Sequence, residues 1–410
     1  MGSLRGLNRA QWLILFVAWL GWVFDIFDTA IFNLRKGEML TQMIGQEAYK
    51  ANGAAIEGWI QGVFLLGWAI GGLIFGIVAD RYGRTRALII TILTYCAFTG
   101  LTALCRTPEQ VMVARFLTAL GIGGEWAAGA ALVAEALPDK TRAAAAAVLQ
   151  SAAAFGPALA AVANLALAGR PWQWMFIVGV APAAICVLIR RKVQEPERQG
   201  KAPTTPLKDL WSDKELRRRA IVAMVIGAVG IAGAGAATFW APNLVKAASE
   251  GLEKTIVDQR ISYVTLASHV GTLAGVLCVP LLCEWIGRKK TISVFYALCP
   301  IAVVFGMTAG LTYERLLILM PIVNFFAIGI SAAFVLYFPE LFPSRVRATG
   351  AGLAYNVGRI VAIPMPIIMG ISISKFGGSP ATAFGILAAI YVFALLVIPL
   401  APETKGVPLT

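Results

Sequence analysis

Apolar residues fill this chain in long blocks separated by short polar breaks, and one longer polar run interrupts the series near its midpoint. A helix needs about 20 apolar residues to cross the hydrocarbon of a bilayer. By that rule the blocks predict spans at 11–34, 57–79, 87–105, 110–135, 143–168, 172–189, 219–244, 261–283, 290–312, 315–339, 348–373 and 380–401. Several contain Gly and Pro, which helices in lipid tolerate because neighbouring helices satisfy the freed backbone groups. The long polar run, RRKVQEPERQGKAPTTPLKDLWSDKELRRR over 190–219, divides the spans six and six. The pattern predicts an all-α membrane protein of twelve transmembrane helices in two six-helix bundles. Residues 1–189 form the first bundle, 190–218 a cytoplasmic linker with short interfacial helices, and 219–410 the second bundle.

Composition narrows the class further. Hydrophobic residues make up 58% of the chain and charged residues 14%, against about 25% charged in ordinary soluble domains. The surrounding solvent is therefore lipid. A formal net charge of +13 raises the question of nucleic acid, but the basic residues fall in alternate loops and not on one face. With the N-terminus inside, 23 Lys and Arg lie in inside segments and 10 in outside ones, where Arg35 and Lys36 are placed just after the first span. That bias puts both termini and the linker in the cytoplasm of a multi-pass inner-membrane protein. The first apolar run is too long, and with Asp25 and Asp28 too polar, for a cleaved signal peptide. Six cysteines lie mostly inside apolar runs with no metal or disulfide spacing. No nucleophile–base pair, metal cluster or phosphate loop is present in the pattern, so neither an enzyme nor a cofactor is expected.

The loops repeat. Gly76-IVA-Asp80-RY-Gly83-Arg84-T-Arg86 follows the second span, and Pro280-LLC-Glu284-WI-Gly287-Arg288-Lys289-Lys290 follows the eighth, a shift of 287 − 83 = 204. Glu135-AL-Pro138-DKT-Arg142 ends the fourth, and Glu340-LF-Pro343-SRV-Arg347 the tenth, a shift of 340 − 135 = 205. Two patterns at nearly one offset indicate a parallel six-span repeat, an arrangement found in transporters with a midplane site between halves. These motifs, with twelve spans in two halves, resemble the major facilitator superfamily over essentially the whole chain. Pro402-Glu403-Thr404-Lys405-Gly406 and Glu195-Pro196-Glu197-Arg198 are similar to sugar-porter motifs at the same places. LNRAQW with AWLGWVF-Asp25-IF-Asp28, Gly123-Gly124-Glu125-Trp126 and YN-Val357-Gly358-Arg359 resemble bacterial sialic acid transporters and the aromatic-acid and metabolite proton symporters. Ile26 departs from that pattern, which has a small residue between the aspartates.

Charges inside spans need a reason, because even generous scales make them cost a few kcal/mol at the bilayer centre. Asp25 and Asp28 are three apart and share a helix face. Glu125 lies about 15 Å up its span from Glu135, and Arg359 about 18 Å along its own from Arg347, both near mid-depth. Acids in one half and a base in the other predict a shared central cavity. Proton coupling is expected of Glu125, Asp28 and Asp25, together with Arg115, which sits in the RF-x-x-x-x-G pattern that the resemblance links to coupling. A structural Asp28–Arg115 ion pair is the competing reading. Arg359 is expected to clamp a substrate carboxylate. Gln150, Tyr355, Asn356, Trp240, Asn243 and His269 are further candidates for substrate contact, and packing or hydrogen bonding within the helix is the plainer role for each.

Asp80 with Arg84, Glu135 with Arg142, Glu284 with Arg288, and Glu340 with Arg347 are expected to gate the inside face through ion pairs between helix ends. The sequence thus predicts a monomeric secondary transporter that imports a small organic anion with protons, its partners being that anion, protons and the lipid bilayer. A sugar or polyol proton symporter is the second reading, and a non-transporting membrane sensor a third.

Overall fold

The computed structural model describes residues 6–82, 84–137, 141–190, 206–308, 310, 312–343, 346–375 and 381–406. The first half holds α1 (Arg9–Ile44), α2 (Gln46–Tyr82), α3 (Arg84–Thr102), α4 (Pro108–Ala136), α5 (Arg142–Ala166) and α6 (Gln173–Arg190). A short α7 (Pro206–Ser212) precedes the second half. There, six spans are built from α8 (Lys214–Phe239) with α9 (Ala241–Ala247), α10 (Lys254–Ile286), α11 (Arg288–Thr308), α12 (Tyr313–Ala327) with α13 (Ser331–Glu340), α14 (Arg347–Ala362) with α15 (Pro364–Lys375), and α16 (Ala381–Val397). The architecture is the all-α, twelve-span arrangement in two six-helix bundles.

Local chemistry sets the helix ends. Asn8 and Gln11 form a reciprocal capping box at the start of α1. Thr107 caps α4 ahead of Pro108, and Asp213 accepts from two backbone amides of α8. α1 continues ten residues beyond the span read from hydropathy and stops only at Gly45, whose φ of +84° suits glycine. Arg35 and Lys36, expected in an outside loop, are therefore helical, and each is 1% exposed. α2 likewise starts at Gln46, eleven residues before the predicted 57.

Packing repeats as the motifs do. In the first half α2 packs on α4, α1 on α5 and α3 on α6; in the second, α10 packs on α12, α8 on α14 and α11 on α16. The match extends to single atoms. A Cβ at Gly67 would come within 3 Å of the Phe116 carbonyl oxygen, and one at Gly71 within 3 Å of the Leu120 carbonyl. Gly271 and Gly275 meet the Pro321 and Phe325 carbonyls in the same way. The glycines are offset by 271 − 67 and 275 − 71, both 204, and the carbonyls by 321 − 116 and 325 − 120, both 205. Lipid gives little hydrophobic drive for helices to associate, so close backbone approach at small residues replaces it.

The halves meet through α2 against α15 and α10 against α5. Gly58 approaches the Pro366 carbonyl, and Gly370 the Ala54 carbonyl. An even number of spans brings both chain ends to one face, here called the terminal end; the opposite face is the far end.

Gly71→Leu is expected to cost about 1–3 kcal/mol through overpacking against a backbone carbonyl. Gly352→Ala, where no atom lies within 4 Å of the added methyl, is expected to leave the melting temperature in detergent unchanged or slightly raised. Equal melting of the two variants would refute the close-approach account.

Candidate functional site

At mid-depth on α14, Arg359 is 5% exposed and turns toward the first half. Its guanidinium lies 4.4 Å from the Trp68 ring centroid on α2 and 4.7 Å from that of Tyr355. Its Nη1 donates to Asn356 Oδ1 at 3.3 Å. A Cβ on Gly72, one turn below Trp68, would be 3.8 Å from Asn356 Oδ1 and 3.5 Å from the Gly123 carbonyl. Gly123 precedes Glu125 by two residues on α4, and Glu125 is 2% exposed. The arginine thus faces the α2–α4 seam and does not face lipid. Faces covered by rings leave a guanidinium's donors in its own plane, the geometry in which a carboxylate binds two-pronged.

Beside this cluster a small cavity of about 30 Å³ lies between the halves, lined by α2, α8, α14 and α15. Two helix breaks border it. Trp240 ends α8 and starts α9, and Ile363 separates α14 from α15, which opens with Pro364. Interrupted helices line substrate sites in transporters, where irregular backbone is tolerated because it faces a cavity.

The acids of α1 are placed differently. Asp28 Oδ2 meets Arg115 Nη1 at 2.7 Å, and Thr99 Oγ1 donates to the other carboxylate oxygen. Arg115 also lies over the Phe32 and Phe64 rings, at 4.8 and 4.5 Å. Asp28 and Arg115 are each 1% exposed, so this is a buried ion pair joining α1, α3 and α4 within one half. Asp25 is as buried, and its backbone carbonyl accepts from Thr29. Gln150 on α5 donates to Ser331 at the start of α13, at 2.7 Å, across the interface. The His269 ring bonds the Thr265 carbonyl of its own helix at 2.8 Å. Among the described contacts nothing ties that ring to the Arg359 cluster.

The far end is bolted shut by charges. Arg35 pairs with Asp258 of α10 at 2.8 Å and with Glu38 at 2.9 Å, and donates to the Leu167 carbonyl. Lys254 reaches back to Glu38 at 2.7 Å. On the other side Lys36 pairs with Glu57 of α2 at 3.0 Å and donates to the Phe239 carbonyl at 2.6 Å. Glu57 also accepts from Tyr49 and from Asn243 of α9. Each network crosses between halves.

At the terminal end the described contacts remain inside the second half. Arg288 holds Glu340 at 2.9 Å and Glu284 at 3.0 Å. Glu403 accepts from the Arg288 and Lys289 amides at the first turn of α11, and Thr404 donates to Glu340. Glu340, expected with Arg347, thus has Arg288 and Thr404 as described partners. The side chains of Asp80, Arg84, Glu135, Arg142 and Arg347 lie outside the described residues.

A profile of the Major Facilitator Superfamily matches residues 12–366. The chain belongs to that superfamily. It is 34% identical to a probable 4-methylmuconolactone transporter of Cupriavidus pinatubonensis, over 94% of this chain and 89% of that protein. It is 26% identical to the niacin transporter NiaP of Acinetobacter baylyi, over 98% and 96% respectively. A D-xylose–proton symporter superposes with a TM-score of 0.76 at 20% identity, covering 96% of this chain and 99% of the other, a likeness of fold. This superfamily member is a multi-pass membrane transporter for a small molecule.

Residues not singled out from the sequence include Trp68 and the far-end set Arg35, Lys36, Glu57 and Asp258. Two cations directly abutting an apolar span were the available signal. Their partners lie on α2 and, 223 positions on from Arg35, on α10.

Removing one member of the Asp28–Arg115 pair leaves a charge buried without its partner. Arg115→Met is expected to destabilise by about 3–5 kcal/mol. The double variant Asp28→Asn/Arg115→Met is expected to recover most of that loss. Additive losses in a double-mutant cycle, read from melting in detergent, would show that the two side chains do not act as a pair.

Proposed function

We propose that this transporter takes up a small organic anion together with protons by alternating access, as a monomer in the inner membrane with both termini in the cytoplasm. The observation that carries the reading is the Arg359 guanidinium, held between Trp68 of one half and Tyr355 of the other at mid-depth. A neutral sugar has no need of a cation there, whereas a carboxylate gains charge-assisted bonds strengthened by the low dielectric. Asn356, bonded to Arg359, and Tyr355 steady the guanidinium. The relatives named as muconolactone and niacin transporters support an acid as cargo.

Glu125 carries the proton, as a carboxyl buried at mid-depth on α4. Asp28, already bonded to Arg115 and Thr99, acts with Arg115 as the pair that transmits the change within the first half, and Asp25 lies one turn away. With the terminal end cytoplasmic, the Arg35 and Lys36 networks form the external gate, closed in this state. Asp80–Arg84, Glu135–Arg142 and the Arg288–Glu340 cluster belong to the cytoplasmic gate. The sugar-porter-like end motif gives the sugar reading little support, because Glu403 and Thr404 are occupied in fastening α11 to Glu340.

Arg359→Gln is expected to abolish carboxylate binding, measured by thermal shift; unaltered binding of acids would refute the clamp. Glu125→Gln is expected to retain counterflow in proteoliposomes and to lose accumulation driven by a pH gradient. Accumulation that persists would remove Glu125 from the proton path. Asp258→Asn together with Glu57→Gln is expected to raise labelling of a cysteine introduced at Gln61 by an external membrane-impermeant maleimide several-fold. Labelling at the rate of the otherwise unsubstituted protein would mean that those networks do not gate.

A further inference from the structure

Phe64 and Trp68 are four residues apart on α2 and share a helix face. Their rings meet edge to face, with centroids 5.7 Å apart and planes at 81°. Each ring also carries a guanidinium. Arg359 of the second half lies 4.4 Å from the Trp68 centroid, and Arg115 of α4 lies 4.5 Å from that of Phe64. Arg115 in turn holds Asp28 at 2.7 Å. A contiguous row of contacts therefore runs from the proposed carboxylate clamp, through two rings, to the buried ion pair of the first half. Glycine lets α2 come close enough for this. Gly67, next to Trp68, lies against the carbonyl of Phe116, the residue after Arg115.

The two rings are held differently. Phe64 is 1% exposed and sits in an apolar cluster with Ile92, Tyr95 and Ala119. Trp68 keeps its indole Nε1–H buried with no hydrogen-bond partner among the described residues, although such a group ordinarily finds an acceptor. No hydrogen bond from the ring fixes its orientation, which rests on packing and on the cation stacked over it. A cation is drawn to a ring face by the ring's quadrupole, and more strongly where water is excluded. A carboxylate paired with Arg359 masks that charge, so its pull on the indole weakens. At the other end Asp28 masks the charge of Arg115, and loss of that partner strengthens the pull on Phe64. Both ends thus act on one pair of rings.

We infer that Trp68 and Phe64 are positioning residues that couple Arg359 to the Asp28–Arg115 pair, so that masking the first cation changes how firmly the second is held. The inference rests on Arg359 as the carboxylate clamp and supplies the link between that site and the pair. Such coupling is reciprocal: whatever the anion does to the pair, a change in the pair does to the affinity for the anion.

The test uses the full-length protein in detergent without ligand, read as melting temperature. A double-mutant cycle combines Arg359→Gln, which removes the charge that a carboxylate would mask, with Asp28→Asn/Arg115→Met, which neutralises the pair without stranding one partner. Separated sites with no shared partner ordinarily give additive shifts. Here the shifts are expected to depart from additivity by about 2 °C or more. In a Phe64→Leu background they are expected to become additive, and in Phe64→Tyr, which keeps the ring, to depart again. Trp68→Leu breaks the row at its other ring and is expected to match Phe64→Leu, so the test stands if one of the two fails to fold. Additive shifts with both rings in place, or a departure that survives loss of either ring unchanged, would overturn the inference. The clamp fails separately. Acids that bind Arg359→Gln normally would remove the clamp while a ring-dependent departure still stood, and loss of acid binding with additive shifts would sink the coupling alone.

Discussion

A charge placed in hydrocarbon needs a partner within reach, and in this chain the partners come from other helices. That requirement arranges most of the polar chemistry. Asp28 is answered by Arg115 across α1 and α4, Lys36 by Glu57 across α1 and α2, and Arg35 by Asp258 across the two halves. These links differ in what they hold together. The Asp28 pair closes within one bundle and can persist through any relative movement of the halves. The Arg35 link joins both bundles directly, and the Lys36–Glu57 pair does so through the Phe239 carbonyl and Asn243. Separation of the far ends must therefore break bonds to charged groups, which requires that water or other partners replace them at the same time.

Backbone packing sets which movements are available. Within each half, glycines let α2 rest on α4 and α10 rest on α12 with carbonyls in near contact, at positions repeated 204–205 residues apart. Such contacts resist deformation within each half. Between halves, among the described residues, Gly58 and Gly370 make comparable approaches along α2 and α15 near the far end. A narrow, smooth line of small residues suits a pivot better than an interlocked surface of large side chains. The proposed alternating access, as rocking of two stiff bodies, is compatible with this distribution of glycine.

Much of this was legible before any coordinates. The span count, the repeat and its offset, the mid-depth charges and the possibility of an Asp28–Arg115 pair follow from hydropathy, spacing and the cost of buried charge. The far-end networks did not, for a definite physical reason. Hydropathy ends a span where charge begins, so Arg35 and Lys36 read as loop, while a helix carrying them continues when the opposing half supplies carboxylates and carbonyls. The partner of Arg35 lies 223 positions away, and no local pattern announces it. Trp68 was equally silent, because an aromatic residue in a span usually marks packing or the interface. Its role emerges only from the arginine stacked on it.

Motif likeness and site chemistry also part company at the C-terminus. Pro402 to Gly406 resembles a sugar-porter signature, yet its atoms are accounted for by local work. Glu403 caps the start of α11, Thr404 bonds Glu340, Tyr337 donates to the Pro402 carbonyl, and Lys405 reaches the Trp285 carbonyl. A carboxylate at a helix N-terminus is favoured by the exposed amides and the helix dipole whatever the protein carries. The motif therefore speaks to how the second bundle is braced, and a fold shared with a xylose symporter says no more than that. The proposed cargo site lies instead where the halves meet, at the Arg359 guanidinium beside Trp68 and Tyr355.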